Sequence, residues 1–199
     1  MPNVIGAIDC THVHILAPTG AREPDFVNRK GRHSLNVQLV CDHAFVVTNM
    51  VVKWPGSVHD SRIFRQSNLC RHLENAPHCG FLLGDSGYGC RPFLLTPFHN
   101  PAPGPQTNYN RSHCRTRVTI EQTNGILKAR FPCLNFLRLT PERSITVIST
   151  CVILNNIARR VNDNFPPPQI VNQIQLPPPV PVQNDGFAMR DGVVRAYFS

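Results

Sequence analysis

The run Gly80-Phe81-Leu82-Leu83-Gly84-Asp85 constrains this 199-residue chain more tightly than any other segment. An apolar stretch without polar alternation is the mark of a central strand covered on both faces, and this one ends on a carboxylate. The fold must therefore bury residues 81–83 and bring Asp85 out at the end of a strand.

The segments around it supply the neighbours. Residues 3–16 read as an extended strand or strand pair, with β-branched residues interleaved around Asp9 and Thr11. Leu35, Val37, Leu39 and Cys41 alternate with Asn36 and Gln38, the pattern of a half-buried strand. Asp42-His43-Ala44 turns it into a second strand, Phe45 to Lys53, which Trp54-Pro55-Gly56 stops. Ser57 is placed as a helix N-cap with Asp60 three residues on, predicting a helix to about Leu69. The Gly- and Pro-rich residues 86–110 read as loop, Arg111 to Phe131 as a helix stopped by Pro132, and Pro141 to about Val161 as another. From Asp163 the proline clusters 166–168 and 177–179 exclude regular structure, so residues 1–162 are expected to form one domain and 163–199 a Pro-rich disordered tail. Only Val193 to Phe198 in that tail is apolar enough to dock.

Composition narrows the partners. Twenty Lys and Arg against twelve Asp and Glu leave a formal charge of +8, which favours a polyanionic partner such as DNA. No apolar run reaches the length of a membrane span. The eight cysteines include no Cys-x-x-Cys pair, so reduced thiols fit better than a disulfide framework or a structural zinc site.

With so few acids, their positions carry weight. Asp9 sits inside an apolar strand, Asp85 closes the central run, and Glu121 lies mid-helix beside Ile120. A buried carboxylate is costly unless it is paired or metal-bound. Acids from two strand ends and a helix have the hard-oxygen chemistry that Mg²⁺ takes, and two such ions activate water against a phosphodiester. Taken singly, each acid also has an ordinary explanation: strand-end turn bonds for Asp9, capping for Asp60, turn formation for Asp85 and a solvated helix face for Glu121. Arg117 and Lys128, four residues before and seven after Glu121, share its helix face and read as phosphate-binding cations, as do Arg29 and Lys30 in the basic loop of residues 22–33.

Six ordered motifs then resemble one family: Ile8-Asp9-Cys10-Thr11-His12-Val13, Asn28-Arg29-Lys30-Gly31, Ser34-Leu35-Asn36, Trp54-Pro55-Gly56-Ser57-Val58-His59-Asp60-Ser61, Leu83-Gly84-Asp85-Ser86-Gly87-Tyr88, and the stretch from Ile120 to Phe131. Together they cover roughly residues 3–160 and resemble the PIF/Harbinger DDE superfamily endonuclease domain. The resemblance implies an α/β fold with an RNase H-like core, a central mixed sheet flanked by helices. It implies catalytic roles for Asp9, Asp85 and Glu121, with Asp60 joining them at a divalent metal site for Mg²⁺ or Mn²⁺. It further implies a metal-dependent DNA nuclease in the nucleus, with a cytoplasmic location left open, working beside a Myb/SANT-like DNA-binding protein. A catalytically silent DNA-binding or scaffold descendant is the alternative.

Two departures qualify the match. The family carries a helix-turn-helix-like region ahead of the catalytic domain, whereas this chain begins almost at the first strand. Target reading is therefore expected from a separate protein or from an upstream segment of the native gene. Leu154-Asn155-Asn156 stands where Leu-His-Asn is usual, so altered packing or an altered supporting contact is expected there.

Overall fold

The computed structural model describes residues 1–75, 80–163, 165–166 and 184–198. Its centre is a six-stranded mixed sheet built from β1 (Val4–Ile15), β2 (Ser34–Cys41), β3 (Val47–Pro55), β4 (Phe81–Leu83), β5 (Leu94–Leu95) and β6 (Phe136–Leu137). The order is β3-β2-β1-β4-β5, with β6 paired to β1 as well. β1, β2 and β3 form an antiparallel meander, while β4 and β6 both run parallel to β1.

Side-chain alternation explains the layers. Ala7, Val13 and Ile15 of β1 and Leu35, Val37 and Leu39 of β2 point to one face. There they pack on Ile120 and Leu127 of α3 (Pro105–Arg130) and on Ile148, Cys151 and Val152 of α4 (Pro141–Arg160). Ile8, Val40 and Leu82 face the other way, onto Phe64 of α1 (Asp60–Arg65) and Cys70 and Leu73 of α2 (Asn68–Asn75). Helices on both faces leave β4 fully buried, as its unbroken apolar sequence requires. This is the α/β arrangement of an RNase H-like core.

Four expectations change on contact with the structure. The strand carrying Asn36 and Gln38 is not half-buried: both side chains are under helices, at 1% and 0% exposure. Ser57 caps nothing. Its amide donates to the Asp25 carbonyl, and α1 starts only at Asp60 with no side-chain cap. The helix expected to reach Leu69 breaks at buried Ser67, whose hydroxyl donates to the Phe64 carbonyl and accepts from the Cys70 amide, starting α2. α3 begins at Pro105 rather than Arg111, because proline is tolerated in a first helical turn where its missing N–H is not needed.

The tail also needs correcting where it is described. Asn184–Tyr197 forms α5, and Val193 and Val194 are buried against Leu95, Phe98 and Tyr109. The prolines stop at Pro181, so nothing in this segment forbids a helix. Arg190 is 7% exposed, stacked 3.7 Å from the Phe98 ring centre, and donates to the Pro97 carbonyl at 3.1 Å. Residues 167–183 of the expected tail lie outside the described residues.

On α4, Asn156 clamps β3 through both amide atoms, accepting from the Val47 amide and donating to its carbonyl. The neighbouring Asn155 is buried, with no partner for its side-chain amide among the described residues.

Candidate active site

β1 is longer than its parallel neighbours, and that mismatch creates the site. β4 pairs with residues 4–7 of β1, and β6 only with His14 and Ile15. Residues 8–13 thus have no strand on that edge among the described residues. Ala7 pairs with Leu83, so Asp9 and Asp85, two residues further along each parallel strand, emerge at the same level. Asp9 shares the face of Ala7 and Val13, beneath α3.

α3 lays a polar stripe along this opening. Arg117, Glu121, Asn124 and Lys128 recur at helical spacing on one face. Asn124 Nδ2 donates to Asp9 Oδ2 at 3.3 Å, and Lys128 Nζ donates to the His12 carbonyl at 2.8 Å. Glu121 is one turn before Asn124 and is ion-paired with Arg117. Asp60 arrives from the opposite layer, where Asn36 Nδ2 donates to its Oδ1 at 2.9 Å and to the Val58 carbonyl at 2.8 Å. Asp85 Oδ1 accepts from the Gly87 amide at 3.0 Å.

Electrostatics ties the acids together. Burial pushes the Asp9 carboxyl from its usual value near 3.8 up to about 7; the Asp85 and Asp60 carboxylates add to the rise, and the Arg117 guanidinium opposes it. Asp85 is raised as well, by burial first and by Asp60, again against Arg117. Tyr88, fully buried, reaches Cys10 Sγ through its hydroxyl at 3.3 Å and lines the same edge. Arg117 is therefore the counter-charge of Asp9 and Asp85, and it also holds Glu121. Among the described residues no three His, Cys, Asp or Glu side chains stand in metal-holding geometry.

The cations differ from their sequence reading. Arg117 and Lys128 lie on the Glu121 face, but each is committed to an internal partner. Arg29 and Lys30 are exposed on a turn that Asn28 organises. Asn28 is 6% exposed; its Oδ1 accepts from the Lys30 and Arg32 amides, and its Nδ2 donates to Ser34 Oγ at 3.0 Å. Ser34 Oγ also meets His12 Nδ1 at 3.0 Å, which fastens the turn to β1. Asn28, Asn36 and Asn124 were not singled out as site residues from sequence. Asn124 had a signal in its i+3 spacing from Glu121, whereas Asn36 looked like the wet side of a strand.

Residues 8–156 match the family described as DDE superfamily endonuclease, a span that holds all four acids. The chain belongs to this family. Within it, the chain is 39% identical over 183 residues to the rat protein "Putative nuclease HARBI1", covering 89% of this chain and 52% of the relative. The human protein of that name is 40% identical over 163 residues, covering 79% and 46%. "Protein ALP1-like" from Arabidopsis thaliana is 27% identical over 183 residues, covering 82% and 45%. The chain thus spans about half the length of the curated relatives it matches. No solved structure matches it. The order of the Harbinger-type motifs along β1, α1, β4 and α3 agrees with this DDE endonuclease membership.

Proposed function

We propose that this chain is the catalytic part of a divalent-metal-dependent DNA endonuclease of Harbinger type. The observation that carries the reading is the set of coupled carboxylates at the open edge of β1, with Asp9 pushed to about 7 by burial and by its acidic neighbours. Arg117 offsets only part of this negative charge, and the hard oxygen donors of the set fit Mg²⁺ or Mn²⁺. Asp9, Asp60, Asp85 and Glu121 would hold the ions, with Asp9, Asp85 and Glu121 closest to the chemistry. When bound, two ions supply an activated water and stabilise the leaving oxygen of the phosphodiester.

The chain's own groups prepare that site. Asn124 orients the Asp9 carboxylate and Asn36 that of Asp60. Lys128 braces the unpaired edge of β1 through the His12 carbonyl. Arg117 neutralises the acids and must release Glu121 before that carboxylate serves a metal. Incision of supercoiled plasmid with Mg²⁺ or Mn²⁺, absent with EDTA, is the expected result. A wild-type chain that binds DNA but leaves plasmid intact with either ion would overturn the nuclease reading. The competing reading, a silent DNA-binding descendant, draws on the Arg117–Glu121 closure and the absence of a preassembled ligand trio among the described residues.

DNA would be held through its backbone by Arg29 and Lys30, since exposed cations on a rigid turn meet phosphates without reading bases. Replacing both with Ala should weaken binding alike for unrelated sequences and lower the slope of log K against log salt by about 2. Loss restricted to one sequence would show base reading instead. Base recognition and nuclear targeting are assigned to a Myb/SANT-like partner. Nuclear accumulation and site-selective binding by the chain without such a protein would refute that assignment.

A further inference from the structure

Beyond the acids, β1 runs on into a shallow cleft of about 450 Å³. One wall is the Asn28 turn, contributing Gly31, Arg32 and His33; the other is Phe136 of β6 with Leu16 at the end of β1. Phe136 and Leu16 are each 47% exposed, so the cleft presents an accessible aromatic ring beside a cationic turn. The turn is rigid. Its amides at Lys30 and Arg32 are fixed by Asn28 Oδ1, and the Gly31 amide donates to the Asn28 carbonyl with Gly31 at φ 69°, a conformation that glycine adopts without strain.

Charge in this region is one-sided. Glu23 is paired with His33 and Asp25 with Arg22. No carboxylate among the described residues pairs with Arg29, Lys30 or Arg32. His14 forms the floor with its Nδ1 buried; burial lowers its ring below the usual histidine range, a hydrogen bond to the His33 backbone opposes this, and Arg32, Lys128 and Lys30 add to the lowering. From Asp9 to His14 the strand advances ~17 Å, a distance of a few nucleotides.

We propose that this cleft receives one unpaired nucleotide of the cleaved strand, its base stacked on Phe136 and its phosphate on the Asn28 turn. The proposal rests on the DNA-cutting reading for its location, but its test needs no catalysis. An aromatic face beside fixed cations is the way single strands are held without sequence preference. Seating a base on Phe136 takes it out of its stack and pair, so the cleft would favour frayed or single-stranded DNA over closed duplex.

The experiment uses the full chain in EDTA with a single-stranded oligonucleotide carrying one 2-aminopurine, and a hairpin duplex of the same sequence. Phe136→Ala should weaken single-strand binding roughly 5- to 50-fold and abolish the fluorescence change. Phe136→Trp should restore both, and duplex affinity should stay within about twofold throughout. Equal loss on both DNAs, or no loss on single strands, would overturn the proposal. A wild-type chain that fails to incise plasmid yet shows this pattern would sink the nuclease reading alone.

Discussion

Asp9→Asn is expected to reduce plasmid incision by roughly 10³-fold or more while raising the thermal stability of the metal-free protein. The two effects share one cause. Asp9 is held half-buried beside Asp85 and Asp60, and its carboxyl is pushed up from near 3.8 to about 7. The folded state therefore binds this proton more tightly than the unfolded chain does. Its contribution to stability is complete below about pH 4 and is lost as the pH rises through 7. Metal-free wild type should accordingly lose Tm between pH 5 and pH 8. The Asn variant should lose less, keeping only a residual slope because Asp85 is raised too. At pH 8 the variant should gain about 1–3 kcal/mol, allowing for the solvent that still reaches the site, a rise of ~2–10 °C for a chain of this size. Mn²⁺ should reverse the order by stabilising wild type and not the variant. Scanning calorimetry across pH, with and without Mn²⁺, checks this. A variant that melts lower than wild type at pH 8 without metal would show that Asp9 is a structural carboxylate.

Ending the chain at Val161 is expected to destabilise the domain by about 3–5 kcal/mol, from the lost burial of two valines and the exposed ring faces beneath them. α5 covers Leu95, Phe98 and Tyr109 with Val193 and Val194, and the Phe198 ring meets Tyr109 edge-on at 5.8 Å. Losses of that size take up much of the net stability of an ordinary domain. Gly186→Ala offers a gentler version, because a Cβ there would stand 2.3 Å from the Cys90 carbonyl oxygen. Backbone cannot yield cheaply at such a distance, so the helix must lift and residues 184–198 should become protease-sensitive. Chemical denaturation and limited proteolysis read the two variants together. An unchanged midpoint on truncation would mean that α5 adds nothing to the core.

Much of the scaffold was legible from side-chain periodicity. Alternation along residues 35–41 and the unbroken Phe81-Leu82-Leu83 run identified strands because a sheet sorts side chains with period two. The acids stood out because apolar surroundings make a carboxylate expensive, and their ordered motifs carried the family resemblance. Local pattern failed where a distant neighbour decided the outcome. Asn36 and Gln38 look wet within an alternating strand, and only the α1 and α2 layer makes them buried.

By itself the sequence determined the long strands β1 to β3, the buried run of β4 and the bodies of α3 and α4, and it marked Asp9, Asp60, Asp85 and Glu121 as residues needing a common explanation. Only the tertiary structure decided how that need is met. The register of β1 on β4 brings Asp9 level with Asp85, the gap between β4 and β6 opens the edge, and α3 sets Arg117 on Glu121 as the local counter-charge. The same holds for α5, whose docking depends on Cys90, Phe98 and Tyr109, far away in sequence. Periodicity acts over a few residues, whereas the free energy of a carboxylate or an apolar face depends on what the fold places against it.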